Sequence, residues 1–143
     1  MKFFFDNCVS PNIVEALRCL VDTHRVQLVH LRDKFAADTK DDVWISTLAQ
    51  EGDWIIISGD PRISRGMAEK AAWIESKLTA FFFGDSWQTR RLVVQASELL
   101  RWWDDIVRLG KMASPGTGYS LEFKTKGPIQ IYPISDRPKR KAR

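Results

Sequence analysis

Three short apolar runs constrain this chain more than any other feature. Trp54–Ile57 enters the polar turn Ser58-Gly59-Asp60, Phe3–Phe5 runs into Asp6, and Phe81–Phe83 passes through Gly84 into Asp85. Runs that are apolar at every position do not suit a strand with one face in water, so both faces must be covered. Each run also delivers an aspartate at the same end.

Between the runs, apolar residues recur at helical spacing. Ile13, Val14, Leu17 and Leu20 follow Ser10-Pro11. Ser10 reads as an N-cap and Pro11 as the first helical residue, where its missing N–H costs nothing. This helix is predicted to run to Leu20 or Val21. A β-rich stretch, Val26–Leu31, comes next, then a polar loop from Arg32 to Lys40. A helix from Asp42 to Gln50, capped by Thr39 or Asp41, would bury Val43, Trp44, Ile45, Leu48 and Ala49 and end at Gly52. Gly66–Lys77 reads as a helix with Met67, Ala71 and Ile74 on one side, and Thr79–Phe83 as the fourth strand. A long helix from Gln88 to Leu109, capped by Gly110, carries Leu92, Leu99, Trp103 and Ile106. Tyr119–Phe123 and Ile129–Ile131 read as a terminal hairpin, or as an edge strand plus extension.

Strands that alternate with helices need crossovers and give parallel pairing. The predicted fold class is α/β: a three-layer α/β/α arrangement around a mainly parallel sheet, with a long C-terminal helix and a short β extension. The domain is expected to span residues 1–135, with a basic, disordered tail at 136–143.

The chain has 143 residues, 44% of them hydrophobic, which suits one domain with a sizeable core. No apolar run approaches the ~20 residues of a membrane span. The apolar start is too short for a secretory signal and is interrupted by Asp6, so the expected location is cytoplasmic. Cys8 and Cys19 lack metal-ligand spacing, and His24 and His30 accompany no nucleophile motif. The net charge is +4, and much of the excess lies in Arg137–Arg143. Such a tail attracts phosphates without specificity.

In parallel sheets, sites form outside the carboxyl ends of the strands. Asp6, Asp60 and Asp85 all belong there. Converging carboxylates repel unless a cation neutralises them or some stay protonated. Mg²⁺ and Mn²⁺ are hard cations that favour carboxylate and water oxygens. Such an ion activates water and stabilises charge on a phosphate. Strand-end aspartates in a basic protein therefore point to metal-assisted phosphodiester hydrolysis. Each aspartate taken singly also suits a turn or a helix cap.

Lys2–Pro11, KFFFDNCVSP, resembles the opening of PIN-like domain proteins. Asp41-Asp42-Val43-Trp44-Ile45 is similar to their second acidic element, and Trp54–Arg62 to their central strand and third acidic residue. The resemblance covers Lys2 to about Trp87 and points to the VapC45-like branch of type II toxins. It implies a Mg²⁺- or Mn²⁺-dependent ribonuclease acting on RNA, often a toxin held inactive by a cognate antitoxin; a homodimer is a separate expectation, raised by Trp102 on the long helix. By resemblance, Asp6, Asp41, Asp60 and Asp85 are the catalytic metal ligands, with Asp42 as the rival of Asp41. Asn7 and Ser58 would hold metal-bound water or a phosphate oxygen. Arg62, Arg65 and Arg90 would hold RNA phosphates. Trp87 reads as core or a partner contact, with base stacking as the alternative; Trp102 reads as packed against the C-terminal hairpin, with an antitoxin or dimer contact as the alternative. Two other readings stay open. One is a non-catalytic PIN-like module that binds RNA or protein. The other is a receiver-like phosphoacceptor, disfavoured because Lys111 and Lys124 do not follow clean parallel strands.

Overall fold

Cover for both faces of the apolar strands comes from helices on either side of a single sheet. The structure, a computed structural model, describes residues 1–59, 67–84, 86–122 and 131–133. Among these, the strands are β1 (Lys2–Phe5), β2 (Gln27–His30), β3 (Trp54–Ser58), β4 (Thr79–Phe83), β5 (Gly118–Leu121) and β6 (Ile131–Pro133). The helices are α1 (Pro11–Leu20), α2 (Leu31–Lys34), α3 (Asp41–Glu51), α4 (Met67–Ser76) and α5 (Leu92–Met112). Strand order is β2-β1-β3-β4-β5-β6. β1 to β5 pair in parallel, and β6 runs antiparallel to β5. This is the expected three-layer α/β/α fold.

Alternation along the strands splits the core in two. Phe3, Phe5, Ile55, Ile57, Phe81 and Phe83 pack with Ile13, Val14 and Leu17 of α1 and with Leu99, Trp102, Trp103 and Ile106 of α5. Phe4, Ile56, Ala80 and Phe82 point the other way, onto Trp44, Ile45 and Leu48 of α3 and Trp73 of α4. β3 is buried at every position, as befits a central strand.

Several expectations change. The loop after β2 contains a one-turn helix, α2, capped by His30. Lys40, rather than Thr39 or Asp41, is the N-cap of α3, and Asp41 and Asp42 occupy its first turn. Carboxylates there complement the helix dipole. Val43 is half exposed, and α4 buries Trp73 while Ile74 is 59% exposed. The large indole outweighs the stripe that periodicity alone suggested.

The long helix begins at Leu92 and continues through Gly110 to Met112. Gly110 is therefore no cap. A Cβ there would meet Ile55 Cδ1 at 2.8 Å, so the glycine lets α5 approach the sheet closely. β5 and β6 pair antiparallel as the expected terminal hairpin, and β5 also joins the sheet as a fifth parallel strand, with α5 as its crossover. Lys124 thus follows a parallel strand by three residues in the sequence, contrary to expectation, and lies outside the described residues. So do residues 136–143, the expected tail.

Trp102 is fully buried, with its ring 5.9 Å from that of Phe83, and is no partner contact. Trp87 is also fully buried, stacked on Phe83 at 3.6 Å between ring centres, which leaves no face for a base. Replacing Trp102 by Ala should cost about 3–5 kcal/mol by urea denaturation. A loss below about 1 kcal/mol would contradict its place in the core.

Candidate active site at the carboxyl edge of the sheet

β1 connects to β2 on one side and lies beside β3 on the other. The order reverses there, and this is where open α/β sheets form binding crevices. Asp6 is the first residue past β1. Its N–H donates to Ile57 O at 3.2 Å, continuing the β1–β3 ladder by one bond. Its side chain is 2% exposed. Oδ1 accepts from the Cys8 N–H at 3.0 Å, an Asx-type turn, and Oδ2 accepts from the Ser58 hydroxyl. A carboxylate this buried is tolerable because such charge-assisted bonds replace lost hydration.

Asp6 opens onto a cleft of about 640 Å³. Asn7, Asp38, Lys40, Asp41, Asp42 and Glu69 also line it. Asp41 is half-buried, and Oδ1 accepts from Trp44 Nε1 at 3.0 Å, while Asp42 is exposed. The Asp-x-x-Trp spacing thus has a physical use: one helical turn brings the indole N–H back to the carboxylate. Asn7 Nδ2 donates to Ala37 O at 2.7 Å and ties the β1 turn to the segment leading into α3.

The structure therefore brings Asp6, Asn7, Asp41 and Asp42 together at one cleft. Ser58, expected beside a metal-bound water or a phosphate, is instead fully buried and orients Asp6. Arg90 is exposed in the turn before α5 and does not line the cleft. Asp60, Arg62, Arg65 and Asp85 lie outside the described residues. Among the described residues, no three His, Cys, Asp or Glu side chains converge closely enough to hold a metal. Asp38 and Glu69 escaped the sequence reading. Glu69, in the first turn of α4, looks like a residue placed for the helix dipole.

The aromatic core reaches the site as well. Trp87 Nε1 donates to Cys8 O at 3.2 Å, and Gln95 Nε2 holds Trp87 O at 2.7 Å. Gly59, which follows β3, sits against both: a Cβ there would meet Cys8 Cβ at 2.9 Å and Trp87 Cδ1 at 3.1 Å. That contact needs glycine.

Residues 1–85 match the family model described as PIN like domain, more than half of the chain. The chain belongs to the PIN-like domain family. No curated protein and no solved structure matches it. In this PIN-like domain, a nuclease-type fold, the matched stretch contains β1 to β4 and every described residue that lines the cleft. Among the described residues, no helix is long and apolar enough to cross a membrane.

His30 lies beside this site. Desolvation by burial pushes its imidazole below the ordinary value of 6.5, against the raising effect of its bond to Val9 O. The unfolded chain therefore takes up this proton before the folded one does. The resulting stability is full above about pH 6.5 and is lost as pH falls through that value toward the folded pKa. Unfolding free energies measured by urea from about pH 7.5 down to pH 5 should fall, and His30→Asn should flatten the slope. Identical slopes in both proteins would contradict the burial argument.

Proposed function

We propose that this PIN-like domain is a Mg²⁺- or Mn²⁺-dependent endoribonuclease, the toxin of a type II toxin–antitoxin pair of the VapC45-like kind. The observation that carries this reading is the cleft at the β1/β3 switch point. It gathers Asp6 from a strand end with Asp41 and Asp42 from a helix head, in a nuclease-type fold.

Carboxylates are the donors a hard divalent cation favours, and Asp6, Asp38, Asp41, Asp42 and Glu69 line the cleft together with Lys40. Asp6, Asp41, Asp60 and Asp85 are the proposed ligands. A bound ion of this kind polarises a phosphate and makes water a nucleophile near neutral pH.

The chain's own side chains do the positioning. Ser58 and the Cys8 N–H hold the Asp6 carboxylate, and Trp44 holds that of Asp41. Holding them in advance removes reorganisation when substrate arrives. Asn7 and Lys40 line the cleft and are proposed to meet a phosphate that enters it. Arg62, Arg65 and Arg90 are proposed to grip flanking phosphates. RNA, a cognate antitoxin and a second copy of the chain are the partners this reading carries, in the cytoplasm.

A receiver-like phosphoacceptor shares the strand order, and β5 is a true parallel strand. The second carboxylate source here is a helix head rather than a strand end, which favours the nuclease. Labelling by a small phosphodonor would reverse that preference.

Asp6→Asn and Asp41→Asn should each cut cleavage of a fluorogenic RNA by about 100-fold or more, with the circular dichroism spectrum retained. Asp42→Asn should stay within about threefold. Full activity in both of the first two variants would sink the assignment.

A further inference from the structure

His30 is the buried ionisable side chain beside the cleft for which the proposed chemistry has no use. It is the last residue of β2, is 1% exposed and does not line the cleft. Its Nδ1 accepts from the Arg32 N–H at 3.1 Å and caps α2. Because Nδ1 is an acceptor, Nε2 carries the proton. That nitrogen donates across the sheet edge to Val9 O at 2.8 Å.

Val9 belongs to the turn that shapes Asp6. Its own N–H donates to Asp6 O at 3.1 Å, and its neighbour Cys8 binds Asp6 Oδ1. A second tie runs the same way, from Asn7 Nδ2 to Ala37 O. The turn after β1 is thus fastened to the segment 30–37 at two points. That segment leads directly into Asp41.

The backbone that carries the ring is itself held in place. The His30 backbone N–H donates to Asp33 Oδ2 at 2.9 Å, and Arg18 Nη2 reaches the same oxygen at 2.8 Å. Arg18 also grips Leu28 O through Nε at 3.1 Å and Nη2 at 2.6 Å.

An N-cap needs just an acceptor, and Ser, Thr, Asp or Asn supplies one at lower cost. An imidazole supplies an acceptor and a donor on opposite sides of one rigid ring. We infer that His30 is a positioning residue that clamps the turn after β1 to the segment entering α3 and so sets the spacing of Asp6 and Asp41. The metal clause of this inference rests on the proposed ribonuclease reading; the clamp itself does not.

Two variants separate clamp from cap. His30→Asn keeps an acceptor for the Arg32 N–H but has no donor long enough to reach Val9. His30→Gln extends an amide donor toward Val9 O and gives up the compact cap. The clamp predicts faster hydrogen exchange at the Cys8 and Val9 amides in His30→Asn than in His30→Gln, measured without metal. It also predicts Mn²⁺ affinity about tenfold or more weaker in His30→Asn, and within about threefold of the original in His30→Gln, by calorimetry. Equal exchange at Cys8 and Val9 in both variants, or unchanged exchange in His30→Asn, would overturn the clamp. If the unsubstituted protein binds no Mn²⁺, the ribonuclease reading fails, and the exchange comparison still decides the clamp.

Discussion

A carboxylate placed out of water at the edge of a parallel sheet must be supplied with hydrogen bonds, and Asp6 is supplied from two directions. The Ser58 hydroxyl comes from β3 and the Cys8 N–H from its own turn. The first of these requires β1 and β3 to be neighbours in register, with Phe5 opposite Ile57. That adjacency is the point where strand order reverses, and it opens the crevice. The interaction that makes a buried aspartate tolerable and the topology that makes a cleft are therefore one arrangement.

The aromatic core serves the same end. Phe83, Trp87 and Trp102 form a packed group under α5. Trp87 extends a polar atom from it to the backbone of Cys8. Gly59 closes the gap between β3 and this indole. The opposite layer contributes Trp44, packed on Phe4 and bonded to Asp41. Two tryptophans, one from each half of the core, thus bond the backbone of the β1 turn and the carboxylate at the head of α3. Loss of either would be felt both as stability and as geometry of the acidic side chains.

Much of this was legible in the residues. The apolar strands with a carboxylate or glycine at their tips gave the parallel sheet and the edge where a site should lie. Ser10-Pro11 marked the start of α1, and the acidic pair Asp41-Asp42 marked the head of α3, though not the bond from Trp44 to Asp41. What was hidden depends on contacts between residues distant in sequence. His30 reads as an unremarkable strand residue until its two ring nitrogens are seen bridging Val9 and Arg32. Ser58 read as a turn residue beside a metal-bound water or a phosphate, yet it ends β3 and is the buried donor to Asp6. Gly110 looked like a cap because glycine often ends helices, whereas its use is a close helix–sheet approach. Trp102 looked peripheral because helical periodicity places it off the main stripe, but α5 is covered on that side by Phe83.

The central claim is that the cleft between the β1 turn and the head of α3 takes a divalent metal. Paramagnetic broadening of backbone amide resonances by substoichiometric Mn²⁺ tests it most directly, since broadening falls steeply with distance and needs no substrate. The account predicts that the amides of Asn7, Cys8, Asp41 and Asp42 broaden first. Those of Asp53 and Lys77, beside Met1 at the opposite end of the sheet, should persist. Broadening that begins at Asp53 and Lys77, or that spreads evenly over the surface, would contradict it.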